Sequence, residues 1–337
     1  MSYQVTIQPS GHQFTVKPGE TLLSAALNAG FALPYGCRNG ACGACKGKVL
    51  AGSVDYGNFQ EGVLSHEDKL KGLALFCCAK AESGLIIEVK EVGAAKDIPI
   101  KTLPCRIEKM EKLAGDVMAL WLKLPSNERL QFLPGQYVDF LLKDGRRRSF
   151  SLANAPEEDA LLELHVRHVP GGHFTDHVFG AMKVKDIMRI SGPYGSFFLR
   201  DSDKPAIFLA GGTGFAPIKS ILTRAFHQGL DRQFVLYWGA KALADLYLPS
   251  APAAWQQAHA NFSFVPVLSG PLPEDQWPGR TGLVHEAVLA DFADLSGYEV
   301  YACGAPVMVA AARRDFMAKS LPEDAFFADS FEYQSGA

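Results

Sequence analysis

The stretch Pro34-Tyr35-Gly36-Cys37-Arg38-Asn39-Gly40-Ala41-Cys42-Gly43-Ala44-Cys45 sets three cysteines and three glycines within twelve residues. Glycine at that density breaks both helix and strand, so the segment reads as an irregular loop built to wrap something. Regular structure is expected on either side of it. Residues 3–7 and 13–16 alternate as short strands, and Glu20 to Asn28 reads as a short helix ended by Gly30. Lys46 to Val54 resumes as a strand, Ser65-His66-Glu67-Asp68 has the form of a capping box, and Leu85 to Val89 is a further strand. A fourth thiol follows Cys45 after 31 intervening residues, in Leu75-Phe76-Cys77-Cys78-Ala79.

The chain has 337 residues, enough for two or three compact units, and its 48% hydrophobic and 20% charged residues are those of a globular protein. A net charge of only −3 makes nucleic acid and membrane surfaces poor default partners. The first residues lack the basic start and apolar run of a secretory signal, and no stretch reaches the 18 or more apolar residues of a membrane span. A cytoplasmic location is therefore expected. There disulfides are disfavoured, which makes clustered cysteines metal ligands rather than staples.

Cys37, Cys42 and Cys45 have the spacing C-x4-C-x2-C, with a later cysteine completing the plant-type [2Fe-2S] pattern. Two sulfide-bridged irons need four thiolates, and small residues between them let backbone N–H groups approach the sulfurs. A zinc site is the competing reading, although zinc knuckles usually pair two C-x2-C hooks and only one is present. At the fourth position Cys77 competes with Cys78, and on a strand-like segment only one of them would point inward. The loop from Leu33 to Val49 resembles the plant-type ferredoxin domain. In that family the fourth ligand precedes a variable residue and then alanine, which implies Cys77. Free ferredoxins are usually acidic, whereas residues 1–91 balance eight Lys/Arg against eight Asp/Glu. This departure suggests a domain that receives electrons within its own chain.

Gly93 to Pro99 has few large apolar side chains and reads as a linker. From Cys105 to about Arg200, alternating strands with turn signals favour a small antiparallel barrel, with Lys143-Asp144-Gly145-Arg146 as a two-residue hairpin turn. From Pro205 onward the pattern becomes strand (Ala206 to Ala210), glycine loop, helix (Pro217 to His227) and strand (Gln233 to Trp238), which means a parallel α/β sheet. The expected organisation is an α+β ferredoxin domain of the β-grasp type at 1–93, a linker at 94–102, a flavin barrel at 103–200 and a nucleotide-binding α/β domain at 201–337.

Arg148-Ser149-Phe150-Ser151 follows the hairpin turn. An arginine fork suits phosphate, an aromatic can flank a flavin ring, and a serine hydroxyl can reach flavin N5. Downstream, the strand His165-Val166-Arg167-His168 breaks at Gly171-Gly172 and opens a helix through Thr175. Together these segments resemble the flavin domain of the ferredoxin-NADP reductase superfamily. The resemblance implies FAD contacts at Arg148, Phe150, Ser151, Arg167, Gly171, Gly172 and Thr175, although Phe150 lacks the hydroxyl of the commoner tyrosine. His165, His168, His173 and His177 have no metal-like partner set and read mainly as packing or surface histidines. Gly211-Gly212-Thr213-Gly214-Phe215-Ala216-Pro217 joins an apolar strand to a helix, a geometry that can cradle a pyrophosphate, and it resembles the same superfamily's nucleotide loop.

Tyr301-Ala302-Cys303-Gly304-Ala305-Pro306-Val307-Met308 resembles the C-G-x-x-x-M element of that superfamily, implying Cys303, Gly304 and Met308 beside the nicotinamide. Asp329-Ser330-Phe331 resembles its D-x-F tail, implying that Phe331 covers the flavin face. Gly239 and Lys241, in Tyr237-Trp238-Gly239-Ala240-Lys241, fall in the adenosine-ribose region. No arginine stands there to clamp a 2′-phosphate, so NADH is favoured over NADPH.

The order ferredoxin, flavin barrel, nucleotide domain is similar to CDP-6-deoxy-hexulose dehydrase reductases and to the reductase components of multicomponent oxygenases. The resemblance implies an enzyme that moves a hydride from NAD(P)H to FAD near Ser151 and Cys303, with Phe331 beside them. Single electrons then pass through the Cys37/Cys42/Cys45/Cys77 cluster to a redox partner protein. That partner is an iron-sulfur dehydrase in the first reading and an oxygenase component in the second. In a third, non-enzymatic reading the ferredoxin module serves only in docking.

Overall fold

A computed structural model of the chain describes residues 2–60, 62–92 and 98–330. It divides into two compact units, one of residues up to Pro99 together with Ala328–Ser330, the other from Ile100 to Phe327. The first contains β1 (Tyr3–Gln8), β2 (Gln13–Val16), α1 (Leu22–Asn28), β3 (Lys46–Ala51), β4 (Val54–Asp55), α2 (His66–Leu70), β5 (Leu73–Leu75), β6 (Lys80–Ala81) and β7 (Leu85–Glu88). Five strands form a mixed sheet in the order β2-β1-β7-β3-β5, and β4 pairs with β6 in a separate ribbon. Only β1 and β7 run parallel within the sheet. Alternation decides its buried face: Val5, Ile7, Phe14, Val16, Leu85 and Ile87 point into the core.

Two expected boundaries move for local reasons. Helix α1 starts at Leu22 rather than Glu20 because Thr21 is its N-cap, its hydroxyl accepting the Ser24 amide at 3.2 Å. The strand expected to run from Lys46 to Val54 stops at Ala51, because the chain turns at Gly52 with φ +95°. The capping box of α2 is complete: Asp68 N donates to Ser65 Oγ and Ser65 N to Asp68 Oδ2, each at 3.0 Å.

The second unit begins with β8 (Lys101–Ala114), β9 (Val117–Lys123), β10 (Tyr137–Leu141), β11 (Arg147–Ser151), β12 (Leu162–Arg167), α3 (His173–Gly180) and β13 (Ile187–Tyr194). Strand β8 thus starts inside the stretch expected to be a linker, of which residues 94–97 lie outside the described residues. The six strands pair antiparallel in the order β11-β10-β13-β8-β9-β12, and an isolated bridge from Leu152 to Leu164 joins the two ends of that order. Leu103, Cys105, Ile107, Leu120, Leu122, Leu162, Leu164 and Val166 fill one core. The hairpin between β10 and β11 is a three-residue loop, not the two-residue turn expected. Leu142 N donates to Arg146 O, Gly145 N to Leu142 O, and Gly145 takes the left-handed conformation at φ +82°.

The rest is β14 (Ala206–Gly211), α4 (Phe215–His227), β15 (Phe234–Ala240), α5 (Ser250–Ala258), β16 (Phe262–Leu268), β17 (Arg280–Thr281), α6 (Val284–Asp291), β18 (Glu299–Gly304), α7 (Pro306–Met317) and β19 (Phe326–Ser330). The sheet order is β17-β16-β15-β14-β18-β19, and the β17–β16, β16–β15, β15–β14 and β14–β18 pairs are parallel. Strand β18 is buried along its whole length, and β14 up to its last residue, as the centre of a parallel sheet requires. Helix α4 starts two residues before Pro217, which sits in the first turn where no N–H donor is needed. Among the described residues, no helix is long and apolar enough to cross a membrane.

Candidate functional site

In the first unit the glycine-rich loop brings its thiols together in pairs. Cys37 is held low, to about 6, first by a hydrogen bond from Cys42 and then, against its burial, by the amides of Asn39, Ala41 and Cys42. Cys42, as donor, is pushed up by the same bond and by burial. Cys77 is pushed up first by its hydrogen bond with Cys45. The amide of Ala41 donates to Cys37 Sγ at 3.3 Å and that of Ala44 to Cys42 Sγ at 3.4 Å. The loop can approach its own sulfurs this closely only without side chains: a Cβ on Gly36 would lie 3.2 Å from Cys42 Sγ, and one on Gly40 would lie 2.9 Å from Cys78 Sγ. Among the described residues no three His, Cys, Asp or Glu side chains converge on one point, as a single bound metal ion would require. Cys37 pairs with Cys42, and Cys77 approaches both Cys45 and Cys78.

The segment that carries Cys77 and Cys78 corrects the expected strand geometry. After β5 the chain makes a tight turn in which Cys78 N and Ala79 N both donate to Leu75 O, at 2.9 and 2.8 Å. Successive side chains in such a turn rotate by about 100° rather than 180°. Both sulfurs therefore stay on one side, 3.5 Å apart.

In the second unit Ser151 closes β11, and its buried hydroxyl has no hydrogen-bond partner among the described residues. An orphaned buried hydroxyl is costly, which suits a group completed by a ligand. The strand that presents it is anchored by Asp139, fully buried on β10, whose carboxylate accepts from Ser149 Oγ at 2.7 Å. Sequence reading missed Asp139. Arg148 donates to Arg147 O at 2.8 Å, and the ring of Phe150 lies against Phe140 and Phe174. Gly171 takes φ +79° and Gly172 caps α3. The Thr175 hydroxyl turns back onto its own loop, accepting from Val169 N at 3.1 Å and donating to Val169 O at 3.0 Å.

The nucleotide loop lies directly on the strand that carries Cys303. A Cβ on Gly214 would come within 2.1 Å of Cys303 O, one on Gly304 within 3.0 Å of Gly211 Cα, and one on Gly211 within 2.7 Å of Met308 Sδ. Gly211, Gly214, Cys303, Gly304 and Met308 are thus brought together. Gly212 faces Arg167, whose Nη1 lies 3.1 Å from where a Cβ would stand. Nε and Nη2 of Arg167 are buried without hydrogen bonds, although Nε lies 3.3 Å from Asp116 Oδ2. Thr213 is buried in the loop. Trp238, expected near a ribose, is instead core: it stacks on Phe215 at 4.1 Å and its Nε1 donates to Gly212 O at 3.0 Å, pinning the loop. Gly239 makes room for Val284, 2.8 Å from its would-be Cβ, while Lys241 is exposed. Asp329 and Ser330 are buried at the end of β19, and Phe331 lies outside the described residues.

A polar network at the edge of β12 gives His165, which reads in the sequence as a packing or surface histidine, specific polar partners. Buried His165 bonds Glu163 Oε1 through Nε2 at 2.8 Å and the Tyr247 hydroxyl through Nδ1 at 2.9 Å. Glu163 also receives Lys219 Nζ from α4 at 2.9 Å, and Lys219 donates to Ala153 O at 3.1 Å. Burial alone would raise the Glu163 carboxyl, but the hydrogen bond from His165 and the charge of Lys219 hold it down at about 2. Burial lowers His165. An ionised Glu163 can only accept, so Nε2 carries the imidazole proton and Nδ1 accepts from Tyr247. The network ties the residues just after Ser151 to the helix that follows the nucleotide loop.

Residues 5–82 match a 2Fe-2S iron-sulfur cluster binding domain, 104–199 an oxidoreductase FAD-binding domain and 208–314 an oxidoreductase NAD-binding domain. The chain is 42% identical over 331 residues to a CDP-6-deoxy-L-threo-D-glycero-4-hexulose-3-dehydrase reductase of Yersinia pestis, covering 98% of this chain and 99% of the relative. It is 36% identical over 334 residues to the reductase component 2 of terephthalate 1,2-dioxygenase from Comamonas sp, covering 98% of each. Among solved structures, the Amycolatopsis cytochrome P450 reductase GcoB superposes with a TM-score of 0.77 at 34% identity, again over 98% of each chain. With these domains in this order and relatives of this identity over nearly its whole length, the chain belongs to the ferredoxin-NADP reductase superfamily, among the iron-sulfur flavoprotein reductases whose 2Fe-2S domain precedes their FAD- and NAD-binding domains.

Proposed function

We propose that this reductase takes electron pairs from NADH and delivers them singly to a partner protein, by preference an iron-sulfur dehydrase acting on a CDP-linked deoxyhexulose. The 42% identity to the Yersinia pestis reductase, against 36% to the dioxygenase reductase component, favours the dehydrase over an oxygenase component as acceptor. When bound, the flavin takes two electrons together from reduced nicotinamide and the cluster passes them on one at a time. The supporting observation is the approach of Cys37 to Cys42 and of Cys45 to Cys77 within residues that match a 2Fe-2S iron-sulfur cluster binding domain, a four-thiolate set that suits two irons.

In this reading Cys37, Cys42, Cys45 and Cys77 hold the cluster, with the Ala41 and Ala44 amides compensating the charge on its sulfurs. Ser151 offers its unpartnered hydroxyl to the flavin edge, and Arg148 and Arg167 balance diphosphate charge. Gly211, Gly212 and Gly214 let the nucleotide approach the backbone, and Cys303 closes the nicotinamide side. In this reading the first unit is of the β-grasp type, the six antiparallel strands of the second form the flavin barrel, for which the isolated Leu152–Leu164 bridge is the support, and the protein works in the cytoplasm. The experiment is Cys42→Ser: reduced nicotinamide should still bleach the flavin, while reduction of a one-electron protein acceptor is lost. Survival of the protein reaction would refute the relay.

A further inference from the structure

The turn after β5 leaves five thiols, not four, around the iron-sulfur loop. Cys78 Sγ stands 3.5 Å from Cys77 Sγ and packs on the backbone of the ligand loop, 2.9 Å from where a Cβ of Gly40 would be. A Cβ on Gly57 would lie 2.5 Å from Cys78 O, so the residue is held from both sides. Its thiol also lines a cleft of about 500 Å³ that opens to solvent, together with Arg38, Asn39, Asp55, Cys77 and Lys80. Cys105 and Cys303, the two remaining cysteines, are buried in the second unit and serve no such loop.

We propose that Cys78 is a reserve ligand for the iron that Cys77 serves. The inference rests on the cluster reading above. When Cys77 is removed or chemically blocked, one Fe–S bond forms to Cys78 Sγ in place of the bond to Cys77. The Cys78 thiol proton leaves to solvent through the cleft, and nothing is oxidised or reduced. The reach needed is short, because the turn already puts the two sulfurs on the same side of the backbone, 3.5 Å apart. Cys45 is the internal comparison, since no second thiol neighbours it in sequence.

The test uses the full flavin-loaded protein and reads iron, acid-labile sulfide, visible absorption and the paramagnetic signal of the reduced cluster. Cys78→Ala should match the wild type. Cys77→Ala should keep iron and sulfide within about twofold of wild type, with a shifted signal, whereas Cys45→Ala and the Cys77→Ala/Cys78→Ala pair should be empty. Should Cys77→Ala not fold, as shown by loss of its flavin, Cys77→Ser is compared with Cys77→Ser/Cys78→Ala. Different signals in that pair support ligation by Cys78, and identical signals overturn it. An empty but flavin-loaded Cys77→Ala overturns the inference alone. A wild-type protein without iron and sulfide overturns the cluster reading as well.

Discussion

Replacing Lys219 with Met tests whether the network on β12 fixes the flavin side to the nucleotide side. Lys219 and Glu163 side chains are only 14% and 12% exposed, so removing the cation leaves a carboxylate that solvent cannot rescue. From its ordinary 4.5 to about 2, the Glu163 carboxyl shift corresponds to about 3 kcal/mol of favourable interaction in the folded chain. Lys219 and His165 share that total, while breaking a buried pair by removing one partner costs about 3–5 kcal/mol. A loss of about 3 kcal/mol in a unit of this size lowers its melting temperature by roughly 6–12 °C. Because the folded value lies below the unfolded one, the stabilisation is fully present above about pH 4.5 and fades as pH falls toward 2. The gap between wild type and Lys219→Met should therefore be widest near neutrality and narrow in acid. Flavin release on heating follows the melting, and stopped-flow bleaching of the flavin by NADH reads whether alignment is lost with it. A melting temperature within 2 °C of wild type at neutral pH would show that the pair is not the clamp described.

Gly214→Ala places a methyl group 2.1 Å from Cys303 O, a backbone atom that cannot swing away. Bleaching of the flavin by NADH should slow at least about tenfold, while iron and sulfide in the other unit stay at wild-type levels; loss of both would point to global unfolding instead. With Lys241 exposed and no arginine among residues 237–241, NADH should exceed NADPH in kcat/KM by about tenfold or more, and a preference for NADPH in steady-state assays would contradict the assignment.

What the sequence made legible was chemistry carried by short spacing. The C-x4-C-x2-C loop, the Ser65–Asp68 cap and the glycine loop before α4 are each local, so residue type and offset suffice to place them. What it hid depends on distant partners or on exact backbone rotation. His165 reads only as a packing or surface histidine because Tyr247, its hydrogen-bond partner, lies 82 residues further on. Asp139 acquires meaning only once β10 pairs with β11 and Ser149 comes opposite it. Gly239 and Trp238 carry no mark distinguishing a nucleotide contact from close strand–helix packing. That only one of Cys77 and Cys78 can face the loop follows from a strand's twofold alternation, and a single tight turn removes that constraint, while the assignment of Cys77 itself rests on the family resemblance.

The Ser151 hydroxyl allows a role in cofactor binding to be separated from a role in folding, because the two predict opposite signs. A buried hydroxyl with no partner costs on the order of 1 kcal/mol or more, so Ser151→Ala should leave the flavin-free chain as stable as wild type or about 1 kcal/mol more stable. If the same oxygen is completed by the flavin, that gain reverses on loading: the variant binds flavin more weakly, and NADH bleaches it about tenfold more slowly. A structural serine would move both measurements in one direction or neither. Denaturant melts of the flavin-free and flavin-loaded forms, paired with stopped-flow bleaching, therefore decide the matter, and a variant whose loaded form is as stable and as fast as wild type would remove Ser151 from the site.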